Sequence, residues 1–442
     1  MSAFPHGLRW LVAAGLLSLT SCTPAEDAGE DYSQQLSASM PGLQEGAPLL
    51  AHDASCLRLE DANTWDAYAA HMASVPNARK LADILQDLNR SGPVLTSIAH
   101  PPATGYKGGF RWADDDMATQ QWIPQALTAG VSGDKNVAIA SWHYAGTEKC
   151  KDGADNSCVR VSVADITDMS AAAVHYRHLL LVKPTADGQF TIVPEHGGGL
   201  AWVGHYLFMA DTGQGIRVFD LDQIRQVDTA SCDDKIGQQS TTSGPVWCAY
   251  GYKYVLPQVS AYDVPADILS PCRPIFSFLG QDKRGQVPVI LSGEYCNATN
   301  TPCRVDAGPG LGGRLYRWPL DATTQRLQTS AGVSVKPEKA YVMNEPNVQG
   351  VAPITTTTST SSYWLSSTRY TGALFKVSAS ASRVMYSSTD DKWAHMPEGM
   401  HATASGTNLW TVTEGYTKDG TPITDPAKGG RVVFFVNQAS VD

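Results

Sequence analysis

Charge is scarce in this chain: 17% of its 442 residues are Asp, Glu, Lys or Arg, against about 25% in an average soluble domain. Acids outnumber bases by 43 to 33, a formal charge of −10. That balance excludes nucleic acid and anionic lipid surfaces as electrostatic partners. Long apolar runs are also missing. After residue 22 nothing approaches the ~18 apolar residues that a spanning helix needs. There is no HExxH, GxSxG or P-loop, which argues against a zincin, a standard serine esterase and a P-loop nucleotide hydrolase. Ser132-Gly133-Asp134-Lys135 matches SxxK, but it falls in a turn between strand patterns and lacks that motif's helix.

One short apolar run is present, Trp10 to Leu19 after Arg9, with the length of a signal-peptide core. It ends in Leu19-Thr20-Ser21-Cys22, which resembles the lipobox of bacterial lipoproteins. The resemblance implies loss of residues 1–21, diacylglycerol on Cys22, further acylation of the new N-terminus and export to the cell envelope. Thr23 rather than Asp follows the cysteine, which by the enteric sorting rule points to the outer membrane or cell surface. Residues 22–55 are small, polar and acidic and read as a flexible tether.

Nine cysteines are present. With Cys22 lipidated, the even remainder suits disulfides in an exported chain. Cys150/Cys158, Cys232/Cys248 and Cys296/Cys303 are near neighbours, which leaves Cys56/Cys272. No CxxC occurs, and these spacings match no structural zinc pattern.

Helical periodicity is confined to residues 56–92, where Leu81, Ile84, Leu85 and Leu88 share a face. Residues 93–442 read as short strands punctuated by Gly, Pro, Asn and Asp. The strands recur in one order. A first strand carries Gln, His or Gly near its start (124–130, 196–204, 274–280, 347–354, 398–406). An apolar second strand ends on polar residues (136–143, 205–212, 287–295, 362–369, 408–415). An alternating third follows (159–167, 216–224, 313–321, 372–380, 431–438), and usually a fourth (177–184, 252–259, 339–346, 382–389). Four short strands repeated radially predict an all-β fold, a five-bladed β-propeller with six blades or a β-sandwich as alternatives. Val94–Ala99 or Gly109–Trp112 would supply the missing last strand. Residues 196–224 resemble segments of secreted bacterial propeller-like proteins. Within them LFMADT and GIRVFDL also resemble blades of streptogramin-lyase-like and NHL-like proteins. The resemblance implies the fold and transfers no catalytic residue.

In a propeller the second-strand ends and first-strand starts meet on one face. That rule directs His143, Asp211, Glu294, Tyr295, Arg369 and Glu414 toward one mouth, joined by Gln125, His196, Asn347, Gln349 and His401. The expected role is binding of a glycan, peptide or protein ligand by His143, His196, Tyr295, Gln349, Arg369 and His401. The alternative, by analogy with arabinanase-like five-bladed glycosidases, is acid–base catalysis by Asp211, Glu294 and Glu414. No metal or cofactor is expected, although Asp114-Asp115-Asp116 leaves calcium open against a solvated acidic loop. Replacing Cys22 with Ser should move the protein from the membrane to the soluble fraction on cell fractionation; retention in the membrane would contradict the lipobox.

Overall fold

The computed structural model describes residues 47–98, 105–146, 158–270, 272–296, 313–330, 332–356, 359–381, 384–387, 393–403, 405–417 and 421–441. Cys22, the lipobox, most of the tether, Cys150 and Cys303 lie outside the described residues. Among the described residues no helix is long and apolar enough to cross a membrane.

The strands form five antiparallel blades. Blade 1 consists of Trp122–Ser132, Lys135–Tyr144, Val159–Asp165 and Ala173–Pro184, and blade 2 of Leu200–Val203, Tyr206–Asp211, Gly215–Asp220 and Tyr254–Asp263. Blade 3 holds Phe278–Asp282, Val289–Gly293, Arg314–Pro319 and Lys339–Val342, and blade 4 holds Val348–Pro353, Ser362–Ser367, Ala373–Ser378 and Val384–Ser387. In blade 5, Pro397–Ala402, Asn408–Thr413 and Val432–Asn437 are completed by Tyr106–Arg111 from the other end of the domain, which closes the ring. The described residues between 93 and 122 supply that closing strand and a short helix, Asp114–Ala118, and no set of four strands for a sixth blade.

Apolar faces of neighbouring blades meet in five cores. Leu207 and Leu179 lie between blades 1 and 2, Phe208 and Ile290 between 2 and 3, and Leu291 and Leu365 between 3 and 4. Trp364 and Leu409 join blades 4 and 5, and Trp410 and Trp142 join 5 and 1. The inner strands come closer than side chains would allow, and each carries a glycine at the contact. A Cβ on Gly199 would lie 2.0 Å from Leu279 N, one on Gly280 2.4 Å from Val351 O, and one on Gly350 2.7 Å from Glu398 O. A Cβ on Gly399 would lie 2.7 Å from Ala126 Cα, and one on Gly130 2.6 Å from the Trp202 ring. The contacts run 1–2–3–4–5–1 without a gap.

The segment read as helical is mostly a belt around the ring. Leu50–Ala51 pairs with the outer strand of blade 3 and Leu59–Asp61 with that of blade 2. Ala78–Arg79 pairs with Ile224–Gln226, and Arg90–Leu95 pairs with the outer strand of blade 1 and then with Tyr106–Arg111. Only Trp65–Met72 and Leu81–Leu85 are α-helical. Pro76 and the positive φ of Asn77 (56°) break the longer helix that the periodicity predicted. The last residues of the expected tether, from Ala47, belong to this belt. Cys56–Cys272 fastens the belt to the connection between blades 2 and 3, and Cys232–Cys248 staples the hairpin Ile236–Thr241/Gly244–Ala249 inserted in blade 2. Cys158 and Cys296 are also disulfide-bonded.

Gly199→Val should lower stability by about 3 kcal/mol, because the backbone of blade 3 cannot retreat from the new side chain without opening the ring. A urea-unfolding midpoint equal to that of the parent protein would contradict this account of closure.

Candidate functional site

Inner strands start, and second strands end, on the same face of the ring. Glu414 follows the second strand of blade 5 and is half-buried, and Gln125 Nε2 of blade 1 donates to its Oε1 at 2.9 Å. Glu398, on the inner strand of blade 5, is fully buried, and Gln349 Nε2 of blade 4 donates to its Oε1 at 3.1 Å. Neither carboxyl has a salt-bridge partner among the described residues. Burial, then the proximity of Glu414, pushes Glu398 well above the usual carboxylate range. Burial also raises Glu414, opposed by its bond from Gln125 and by Arg431. Two carboxyls raised to different degrees therefore lie near one another, bridging blades 4, 5 and 1.

A second pair lies at blade 2. Asp211 is buried and takes Arg217 Nε at 2.6 Å, Arg217 Nη2, and the backbone N–H of Gln214 at 3.1 Å. Glu195 shares a side-chain hydrogen bond with Asp211, and such a bond needs one proton between the two carboxyls. The donors crowding Asp211 leave that proton on Glu195, whose pKa is raised to about 9 by burial and then by Asp211. Next to Glu195, His196 meets His143 with ring centroids 4.3 Å apart. Burial lowers His143 to about 3, helped by His196, and lowers His196 to about 4.

The expected trio of Asp211, Glu294 and Glu414 does not share one environment. Glu294 is buried and receives Arg314 Nε at 2.9 Å, Arg314 Nη2 at 2.7 Å and the backbone N–H groups of Arg314 and Ile275. Its lone pairs are committed to blade 3, so the acid–base role assigned to it is corrected to a structural one. Asp211 is held in the same way within blade 2. Of the ligand candidates, Tyr295 OH accepts from Asn347 Nδ2 at 2.8 Å, and Gln349 is committed to Glu398. Arg369 opens the 3-10 turn Arg369–Thr371 after the second strand of blade 4.

His401 is not at the rim. It lies down the inner strand of blade 5, buried, and Gln281 Nε2 of blade 3 donates to its Nδ1 at 3.1 Å. Blades 3 and 5 are not neighbours, so this bond crosses the axis and floors the mouth. Burial, aided by Lys283, lowers His401 to about 3 and keeps it an acceptor.

The acidic run 114–116 opens the short helix Asp114–Ala118 rather than a loop, with Asp114 and Asp115 exposed and an arginine meeting each aspartate. Asp114 pairs with Arg111 at 2.6 Å and Asp115 with Arg90 at 2.6 Å. Asp116 is buried and takes Arg90 at 2.9 Å, Arg160 at 2.8 Å, Tyr176 OH at 2.6 Å and His178 Nε2 at 3.0 Å. Burial would raise Asp116, but these partners outweigh it and hold it far below the usual range. His178 Nδ1 meets Ser162 Oγ at 2.8 Å, and that oxygen accepts from Trp142 Nε1 at 2.7 Å. The chain has the outline of a nucleophile relay, but Ser162 is fully buried and already committed, so it is a core network. On the opposite face His205, Asp220 and Asp222 bring ligand-type atoms within 4.8 Å of one another.

Sequence reading passed over Glu195 and Glu398. The first directly precedes His196 and the second is in the same strand as His401, so the first-strand rule contained both.

No family model matches the chain, and no curated protein matches it. Among solved structures it is similar to a β-xylosidase, RS223, at 9% identity and TM-score 0.33, covering 72% of this chain and 93% of that one. It is similar to a GH43_1 enzyme from Xanthomonas citri at 11% identity and TM-score 0.34, covering 73% and 91%. The WD40 repeats of RRP9 align at 10% identity and TM-score 0.28, covering 77% and 99%. Likeness at this level transfers no activity to the mouth, and the fold stands on the ring itself.

Because the folded-state pKa of Glu195 is raised above its unfolded value, its stabilising contribution is fully present at low pH. That contribution is lost as pH climbs from the ordinary carboxyl range through about 9. Glu195→Gln should therefore gain in melting temperature relative to the parent protein between pH 5 and pH 9; a constant difference across that window would contradict the shared proton.

Proposed function

We propose that the protein is an exported, lipid-anchored binding propeller whose mouth takes a neutral polyhydroxylated ligand, such as the end of a glycan. The observation that carries this reading is the pair of amide–carboxyl bonds, Gln125–Glu414 and Gln349–Glu398, spanning three blades, with no salt bridge from arginine or lysine to either carboxyl among the described residues. With His143 and His196 neutral and Glu195 protonated at neutral pH, the mouth is dense in donors and acceptors yet poor in charge. Such a surface suits hydroxyl groups better than ionic ligands. The lipidated Cys22 would hold it at the envelope surface, with the tether as spacer.

A second reading rests on the same carboxyls. Glu398, raised well above the usual carboxylate range, and Glu414, raised against the pull of Gln125 and Arg431, would supply the acid and the carboxylate of glycoside hydrolysis. Calorimetric titration and a hydrolysis panel, run on the full chain carrying Cys22→Ser, separate the two readings. Binding predicts saturable association with an oligosaccharide and about tenfold weakening in Gln349→Ala, roughly 1.4 kcal/mol for one lost bond. It also predicts affinity within about threefold in Glu414→Gln and no turnover in any form. Turnover that disappears in Glu414→Gln would transfer the assignment to the enzyme reading, and failure to bind any glycan would remove the binding one.

A further inference from the structure

We propose that a cleft at the outer rim of the ring, between blades 1 and 2 and separate from the mouth, binds a neutral saccharide unit. Three elements wall it: the end of the helix Trp65–Met72 with the residues just after it, the turn 185–189 that follows the outer strand of blade 1, and the hairpin inserted in blade 2. Its volume of about 410 Å³ falls in the range of small-molecule sites. The walls are tied to one another. Ser74 Oγ donates to Gly188 O at 3.4 Å, and Gln189 Oε1 accepts from the Gln238 backbone N–H at 2.7 Å. Trp247 stacks on Phe190, with ring centroids 5.5 Å apart and planes inclined by 20°, next to the Cys232–Cys248 staple. A cleft held by three mutually bonded elements is shaped before any ligand arrives.

What points to a ligand is the set of polar groups the walls leave unspent. Trp247 lines the cleft at 4% exposure, and its indole N–H donates to no group among the described residues. A buried indole N–H ordinarily finds a partner. His71 lines the same space, and its Nδ1 is buried without a hydrogen bond. Gln189 spends its carbonyl oxygen on Gln238 and keeps its amide NH₂. Asp187 Oδ1 accepts from Thr185 Oγ1 at 2.5 Å and from the Gln189 N–H at 3.3 Å, which leaves Oδ2. Those bonds, the Thr185 hydroxyl first, hold Asp187 below the usual carboxylate range, so it accepts at neutral pH. The cleft thus mixes donors with acceptors, and hydroxyl groups, which do both, satisfy the mixture. Among the described residues no arginine or lysine lines it, which disfavours phosphate, sulfate and uronate. Two alanines and the tryptophan are its main apolar lining, too little for a lipid chain. The inference does not rest on the mouth binding a glycan.

Nuclear magnetic resonance of the full chain carrying Cys22→Ser, with ¹⁵N in the tryptophan indoles, tests it. The probes are neutral mono- to tetrasaccharides of the gluco, manno, galacto and xylo series. The Trp247 indole resonance, identified by its loss in Trp247→Phe, should shift saturably with at least one series. Asp187→Asn, which turns an acceptor into a donor on an exposed turn, should weaken the binding read from that shift about tenfold. His71→Phe, which keeps a ring and removes both nitrogens, should weaken it at least about threefold. Gln349→Ala, in the mouth, should leave the Trp247 shift and its midpoint unchanged, so the two sites succeed or fail separately. Added salt should change the midpoint less than about twofold, because no ion pair forms. No shift of the Trp247 indole with any saccharide, a midpoint unchanged in both cleft variants, or affinity that collapses with salt would overturn the proposal.

Discussion

Neighbouring inner strands come together where the residue at the contact has no side chain. Gly199, Gly280, Gly350 and Gly399 occupy that position against the backbone of the next blade, and Gly130 packs on the Trp202 ring at the fifth boundary. The blades lean together at the centre because of them, and the wedge-shaped spaces further out fill with the five apolar cores. The same convergence brings Gln281 within reach of His401 across the axis. The floor of the mouth is therefore a consequence of how tightly the ring closes, as is the shortness of the span from Gln125 over Glu414 and Glu398 to Gln349.

Acidic residues around the ring separate into two groups according to what the neighbouring strand supplies. Asp211, Glu294 and Asp282 each face an arginine of their own blade: Arg217, Arg314 and Arg317 respectively. Breaking such buried pairs costs more than they contribute net, so they secure the blade and leave no lone pair for a ligand. Glu398 and Glu414 face amides, and Glu195 faces a carboxylate, so burial raises all three above the ordinary carboxyl range, Glu195 to about 9. The proposed binding role rests on the second group, because acids with no arginine of their own blade in salt-bridge contact are not spent on holding that blade.

Much of the fold was legible because propeller strands announce themselves by alternation and by glycine and proline between them. The four-strand order and the need for a closing strand, from Val94–Ala99 or Gly109–Trp112, came from that pattern, and Tyr106–Arg111 occupies the place. Partners across strands were not legible. Asp211 and Arg217 are six positions apart on paired strands, and only the register Met209↔Arg217 shows that they meet. The belt was missed for a different reason: pairing segments of two or three residues such as Ala78–Arg79 are too short to show a period. Leu81, Ile84 and Leu85 suggested a long helix, yet they belong to one of five residues, because Pro76 and Asn77 interrupt the chain before it.

The claim on which the rest depends is that the ring is closed by contacts that do not give way one at a time. Native-state hydrogen exchange of the inner-strand amides measures this directly. The account predicts that protected amides of all five inner strands exchange through one opening with the free energy of global unfolding. Exchange of a single blade, or of Tyr106–Arg111 with its neighbours, through a separate opening of much lower free energy would contradict it.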